Sequence, residues 1–369
     1  MQVSRRDILA GLSLLPLTAS AREPAAPVQI GAIRWDAWYS KSDNSVFPQN
    51  NLAPASFRSR APAHCVQNGE DLSCTGTIDV IEAEIAAAQR ARLSFWAFGW
   101  YPANTSLRKA WDFYQSAPSK RSMPWCAIVG FGDLGSARGA IAERDKKLRQ
   151  WVGRMKQDDY FRADVAGAKR PLLFIFYREK ELQSYFRSLE ALGEGLSRFR
   201  ELARAEGGFD PYIVLFDPAL DMALFKGSGV DAISNYIGGF QPKERGSFAE
   251  LDRQVQDYWR RMALTGAPMV PIAQVGWDTR PRREHPVPWS EPGYGDPTKR
   301  NLYYAMASPE ELTAHLLAAR RFGADHAAQC SSRLVLLYSW NECDEGGCVL
   351  PTLGDRRGHY LAAIARAAG

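Results

Sequence analysis

Two glutamates three positions apart, Glu342 and Glu345, stand in the run Trp340-Asn341-Glu342-Cys343-Asp344-Glu345-Gly346, just after the apolar, β-favouring stretch Leu334-Val335-Leu336-Leu337-Tyr338. A strand that ends in a turn carrying paired acids can present a general acid and a general base at the mouth of a barrel. Like charges so close together are costly unless the site uses them. Paired carboxyls in the company of large aromatics fit glycosyl transfer, in which two acids act on the bond and aromatic faces bind the sugar.

The ends of the other expected strands bring similar residues: Trp35, Asp36 and Tyr39; Trp100 and Tyr101; Asp133; Tyr177 and Arg178; Asp217; Asn235 and Tyr236; Trp277 and Asp278. Glu342 and Glu345 are therefore the candidate catalytic pair. Trp35, Asp36, Trp100, Tyr101, Tyr177, Arg178, Tyr236, Trp277, Asp278, Trp340 and Asn341 are the candidate substrate-binding residues. Any single acid among them is equally suited to cap a helix or pair with an arginine, and Asp217-Pro218 reads as a turn. A serine hydrolase is excluded, because no Gly-x-Ser-x-Gly occurs with a triad. Cys343 lies between Glu342 and Asp344, whose charges oppose a thiolate nucleophile. No Cys-x-x-Cys occurs and the five histidines lack ligand spacing, so no metal site is expected. The acid/base chemistry needs no cofactor.

Elements able to position these residues alternate along the chain. Strands are expected over 28–39, 93–101, 124–131, 171–177, 212–216, 229–236, 269–274 and 333–340. Helices are expected over 77–91, 106–116, 143–156, 189–206, 248–265, 309–322 and 359–368. In the first helix Ile78, Ile81, Ile85 and Ala88 share a face behind Thr77, and Ser308 is a good N-cap for another. Several strands are apolar at every position, as burial on both faces of a parallel sheet requires. The pattern predicts an α/β fold, a single-domain (β/α)8 TIM barrel with long βα loops. The Pro- and Arg-rich stretch 279–300 is the longest of these loops. A doubly wound sheet is the structural alternative, disfavoured because no Gly-x-Gly-x-x-Gly follows the first strand.

The 369 residues are 46% hydrophobic, 11% aromatic and 24% charged, and the net charge of +5 is spread without a basic block, which disfavours nucleic acid. Residues 1–21 read as an export signal: Arg5-Arg6 in a positive n-region, an apolar stretch over 9–17, and Ala19-Ser20-Ala21 as a cleavage site. The paired arginines resemble a twin-arginine signal, with an ordinary secretory signal as the alternative. The barrel domain is then 22–369, exported to the periplasm or secreted, with no stable membrane insertion after cleavage. Export permits disulfides. Cys65 with Cys74 and Cys343 with Cys348 are the candidate pairs, while Cys126 and Cys330 either pair or stay buried thiols.

The motif from Trp340 to Gly346, followed by Pro351, Gly358 and Tyr360-Leu361, resembles the terminal motif of the WbsX-like, glycoside hydrolase family 99-like proteins, Trp-Asn-Glu-Trp-x-Glu-Gly with later Pro and Gly-x-x-Tyr-Leu steps. The 81–101 unit, Asp158-Asp159-Tyr160-Phe161 through Tyr177-Arg178, and Gly276-Trp277-Asp278-Thr279-Arg280-Pro281-Arg282 resemble further blocks of that family in the same order. The resemblance implies a (β/α)8 barrel that acts at a glycosidic bond of an oligosaccharide or polysaccharide. It implies Glu342 as base, Glu345 as acid and Asn341 as a sugar ligand beside them. Cys343 stands where the family has Trp, Leu350 where it has Glu, and Thr279 where it has Asn; Gly132-Asp133 replaces an Ala-Asn and a Trp of many relatives. These departures lie around the implied sugar subsites, so the mannosidase substrate does not carry over. A glycosyltransferase or polysaccharide-assembly protein and a non-catalytic glycan-binding barrel are the competing functions. Which sugar, endo or exo cleavage, and a retaining or inverting course are all left open by the sequence.

Overall fold

Tyr212-Ile213-Val214-Leu215-Phe216 is apolar throughout and every one of its residues is buried. Such a strand needs a filled barrel interior on one face and helices on the other. The computed structural model describes residues 28–216 and 219–369; the expected export signal and the Asp217-Pro218 turn lie outside them. Eight parallel strands follow one another round a ring: β1 (Gln29–Arg34), β2 (Phe95–Gly99), β3 (Trp125–Val129), β4 (Ala168–Phe176), β5 (Tyr212–Phe216), β6 (Ala232–Ser234), β7 (Ile272–Gln274) and β8 (Leu334–Tyr338). The fold is a (β/α)8 barrel. β1 lies between β8 and β2, with Gly31 opposite both Leu336 and Phe95.

The last seam has a form that the sequence reading did not anticipate. Instead of one strand over 269–274, Met269 bridges Ile233 of β6 while Ile272–Gln274 pairs with β8. The Ile233 amide donates to the Pro268 carbonyl and the Val270 amide to the Ile233 carbonyl, both at 2.9 Å. Pro271 separates the two halves, because it has no N–H to continue a ladder. Its carbonyl still accepts from the Leu336 amide at 2.9 Å.

Helices α1 (Ile78–Arg90), α2 (Lys109–Ser116), α3 (Ile141–Met155), α4 (Leu189–Leu202), α5 (Met222–Ser228), α6 (Phe248–Leu264), α7 (Pro309–Asp325) and α8 (His359–Ala368) follow the strands in turn. Thr77 caps α1 by accepting from the Val80 amide at 3.2 Å. Ser247 with Glu250, and Ser308 with Glu311, form capping boxes on α6 and α7. The short α5, not expected from sequence, starts where Asp221 accepts from the Ala223 amide at 2.8 Å.

Two long loops shape the mouth. The β1–α1 loop holds a short helix, Val46–Asn51, and the Cys65–Cys74 disulfide around a two-stranded hairpin. The β7–α7 loop holds another short helix, Arg280–Glu284, and the two helices pack together. Cys343 and Cys348, the other expected disulfide, are instead free thiols in contact, with the Cys348 Sγ 3.8 Å from the Arg60 carbonyl. The turn between them is already pinned by its own backbone bonds, Gly346 to the Cys343 carbonyl and Gly347 to the Glu342 carbonyl. Cys126 and Cys330 are buried thiols, and burial pushes Cys330 up to about 12.

Gly31 leaves room in the barrel floor for the Phe95 ring, which stacks on Phe161 at 4.1 Å. A Cβ at position 31 would fall inside that ring. Gly31→Ala is expected to cost about 1–3 kcal/mol, read as a lower urea midpoint with an unchanged m-value.

Candidate active site

The acid-bearing turn is fixed to β1 before it reaches either glutamate. Asn341 accepts from the Trp35 amide at 2.9 Å, donates to Asp36 Oδ1 at 2.7 Å, and its carbonyl accepts from Trp38 Nε1 at 2.8 Å. Ser339 Oγ accepts from the Glu342 amide at 2.8 Å. Gly346 takes a left-handed φ of 71°, and a side chain there would strike the Asp278 backbone. The turn therefore holds its shape without help from the carboxyls, which are free to make other contacts.

Glu342, Asp344 and Glu345 gather round one guanidinium, that of Arg282 in the Arg280–Glu284 helix. Arg282 makes a fork on Asp344, Nε to Oδ2 at 2.6 Å and Nη2 to Oδ1 at 3.1 Å. Its Nη1 reaches Glu345 Oε1 at 2.5 Å, and its Nη2 lies 3.4 Å from Glu342 Oε2. Tyr236 donates to Glu342 Oε1 at 2.7 Å, and Tyr338 donates to Glu345 Oε2. Glu342 is 3% exposed, Glu345 8% and Asp344 0%. Burial, then the charge of Glu345, pushes the Glu342 carboxyl well above its ordinary range; burial also raises Glu345, against the pull of Arg282. Burial alone would lower Arg282, but the three acids hold it well above the usual value.

Beside this cluster a cavity of about 480 Å³ opens at the C-terminal ends of β2, β3, β4 and β6. Trp35, Trp100, Tyr101, Arg178 and Tyr236, all expected as binding residues, line it, together with Asp133, Phe176 and Tyr185. Tyr236 joins cavity to acids. Trp35 does the same: its Nε1 donates to the Tyr101 hydroxyl at 2.7 Å, and the Arg282 guanidinium lies 5.0 Å from its ring. Trp100 is held between Arg108, at 3.9 Å, and Arg154, at 4.7 Å.

Other residues expected to bind substrate sit elsewhere. Asp36 is a buried partner of Arg34, at 2.9 Å, on the helix side of β1 beside Glu84. Burial pushes its carboxyl up to about 6 against the opposing pull of Arg34. The Trp340 indole is fully buried in that same layer, donating to Glu84 at 3.1 Å and packing on Trp96. Asn341 spends its amide on Trp35 and Asp36. Asp278 is buried between Arg280, at 2.6 Å, and Arg60. Burial would raise its carboxyl, but the two arginines hold it below the ordinary range. Trp277 packs at 5.7 Å on Tyr338 and 5.5 Å on Phe240. Tyr177 packs on Phe131 and donates to Glu179.

Residues that the sequence reading did not single out complete the site: Arg282, Asp344, Tyr338, Tyr294 and Trp289. Trp289, 41% exposed, meets Trp35 and Phe47 edge-on, each at 6.2 Å. Phe47 lines a second hollow with Asn50, Glu70 and His285, so Trp289 touches one wall residue of each cavity. The Arg280-Pro281-Arg282-Arg283 run in a long loop was the available signal for a cation facing three acids. Among the described residues no group of three His, Cys, Asp or Glu is placed to hold a metal ion. No helix there is long and apolar enough to cross a membrane.

No protein-family model matches the chain, and no curated protein matches it. Among solved structures it is similar to the family 99 endo-alpha-mannosidase of Bacteroides thetaiotaomicron. The complex of that enzyme with bis-tris propane is 12% identical with a TM-score of 0.53, over 92% of this chain and 98% of that one. A second structure of the enzyme is 13% identical with the same coverage and TM-score. A family 5 glycoside hydrolase of Prevotella bryantii B14 is 10% identical with a TM-score of 0.41, covering 90% and 99%. The family 99 likeness extends over nearly the whole chain and shows that the two share the (β/α)8 barrel fold.

The raised Glu342 carboxyl has a consequence for stability. The folded protein keeps a proton that the unfolded chain releases above its value of ~4.3, so the contribution is complete below that pH and is lost as pH rises towards the folded value. Glu342→Gln is therefore expected to melt roughly 2–4 °C above wild type at pH 9 and level with it at pH 4. Scanning fluorimetry at both pH values checks this; a variant that melts lower at pH 9 contradicts it.

Proposed function

We propose that this protein is an exported glycoside hydrolase-like enzyme that cleaves a glycosidic bond in an oligosaccharide or polysaccharide, with Glu342 and Glu345 as its reacting carboxyls. The observation that carries the reading is the buried glutamate pair in one turn, each carboxyl accepting from a tyrosine hydroxyl, beside an aromatic-lined cavity at the barrel mouth. Desolvated paired acids of this kind suit general acid/base work at neutral pH, and aromatic faces suit sugar rings. The fold shared with a family 99 endo-alpha-mannosidase supports the same class of chemistry. In the roles implied by the sequence resemblance, Glu342 is the base and Glu345 the acid. Tyr236 would orient Glu342, and Trp35, Tyr101 and Tyr236 would form the walls of the sugar site.

Location outside the cytoplasmic membrane, in the periplasm or beyond, belongs to the same proposal. It is supported by the leader-like sequence of residues 1–21 and by the Cys65–Cys74 disulfide. The test uses purified protein beside Glu342→Gln and Glu345→Gln, incubated with a panel of α-linked glycans and followed by release of reducing ends. Wild type is expected to release product, and each variant to lose about 10²–10⁴-fold in rate. Glycan binding without product, unchanged in both variants, would replace the enzyme reading with a non-catalytic glycan-binding barrel.

A further inference from the structure

We propose that the second hollow of the mouth, apart from the glutamate pair, is a binding site for uncharged sugar residues of a glycan. The choice of a glycan rests on the reading of the protein as glycoside hydrolase-like; the site itself rests on its own geometry. The hollow holds about 810 Å³ and lies between the two long loops. The short Val46–Asn51 helix gives it Phe47, Asn50 and Asn51, the turn of the disulfide hairpin gives Glu70, and the end of the Arg280–Glu284 helix gives Glu284. That volume falls within the roughly 300–1,000 Å³ usual for small-molecule sites.

The walls are fixed before any ligand arrives. Gln49 donates from Nε2 to the Ala37 and Ser40 carbonyls at 2.7 and 2.9 Å, and its Oε1 accepts from the Cys74 amide at 3.0 Å. The short helix is thereby fastened both to the chain just after β1 and to the Cys65–Cys74 disulfide. Arg58, in the same wall, donates to the Ala53 carbonyl from Nε at 3.0 Å and from Nη2 at 2.6 Å. A site held in this way has little ordering cost to meet on binding.

Asn51 is the observation that points to a ligand. It lines the hollow, is 2% exposed, and its Nδ2 is buried with no hydrogen-bond partner. An amide left unpaired in this way costs about 1–3 kcal/mol, which a hydroxyl oxygen brought to the wall would remove. Glu70 and Glu284 make no salt bridge among the described residues, whereas Asp71 beside them is paired with Lys41 at 3.3 Å. An amide donor, two carboxylate acceptors and the Phe47 ring complement a sugar, whose hydroxyls both give and accept hydrogen bonds and whose C–H faces pack on aromatic carbon. The two carboxylates repel an anionic ligand and the Arg58 guanidinium opposes a cationic one, so the uncharged sugar is favoured. Trp289 touches Phe47 here and Trp35 of the cavity beside the acids, so two ring contacts separate the two hollows.

The test measures binding without turnover, on the full protein carrying Glu345→Gln. It is applied to a printed array of uncharged, acidic and amino-sugar oligosaccharides, and the strongest uncharged binder is taken to calorimetry. At least one uncharged oligosaccharide is expected to bind. Asn51→Leu, and Glu70→Ala with Glu284→Ala, are each expected to weaken it by about tenfold. Asn51→Leu loses no partner at Nδ2 and is expected to melt no lower than its parent, and the two glutamates are exposed, so their removal leaves the fold intact. Binding confined to acidic or amino sugars, no binding of any uncharged glycan, or an affinity unchanged in either variant would overturn the proposal. Release of reducing ends by the wild type, with no binding that these variants weaken, would remove this site and leave the enzyme reading standing. Binding that both variants weaken, with no release from any glycan, would keep the site and remove the enzyme reading.

Discussion

Three carboxyls in one turn, nearly sealed from water, need a cation, and Arg282 is where the mouth of this barrel meets that need. Desolvation of like charges is costly, and a single guanidinium is shared by all three acids. The arrangement of neighbouring parts follows. The Arg280–Glu284 helix must lie over the β8 turn. Asp278 must hold Arg280 and Arg60 at the start of that helix. Trp35 must lie beneath the guanidinium that faces it.

A second ionic centre, on the opposite side of β1, keeps the turn rigid. Arg34 is fully buried between the sheet and α1, neutralised by Asp36 and Glu84 and laid on the Trp96 ring at 4.4 Å. Asp36 in turn receives the Asn341 amide. A strand-helix ion pair is thereby tied to the residue immediately before Glu342. The two centres divide the work: the inner one supplies the counter-ion of the acids, and the outer one helps to set where their backbone lies.

The barrel was readable because its signals are local. Continuous apolar strands, N-caps such as Ser308, and acids just past Tyr338 can all be seen within a few residues of chain. Arg282 was not, since it meets its acids only in the folded barrel, across a loop whose sequence names no partner. Asp36, Asn341 and Trp340 misled for the opposite reason. Their position after a strand matches the rule for site residues, yet the buried charge of Arg34, one layer out, recruits all three into its own shell. Pro271 explains the divided strand at the β6–β7 seam, but only once both neighbours are known does its missing N–H acquire a place.

The position of Trp289 links shape to charge. Trp289 belongs to the same loop as Arg282 and touches one wall residue of each of two hollows, Trp35 of one and Phe47 of the other. The same segment carries the Arg282 guanidinium that the three carboxyls share, so the exposed rim of the mouth and the counter-ion of its buried acids are one piece of chain.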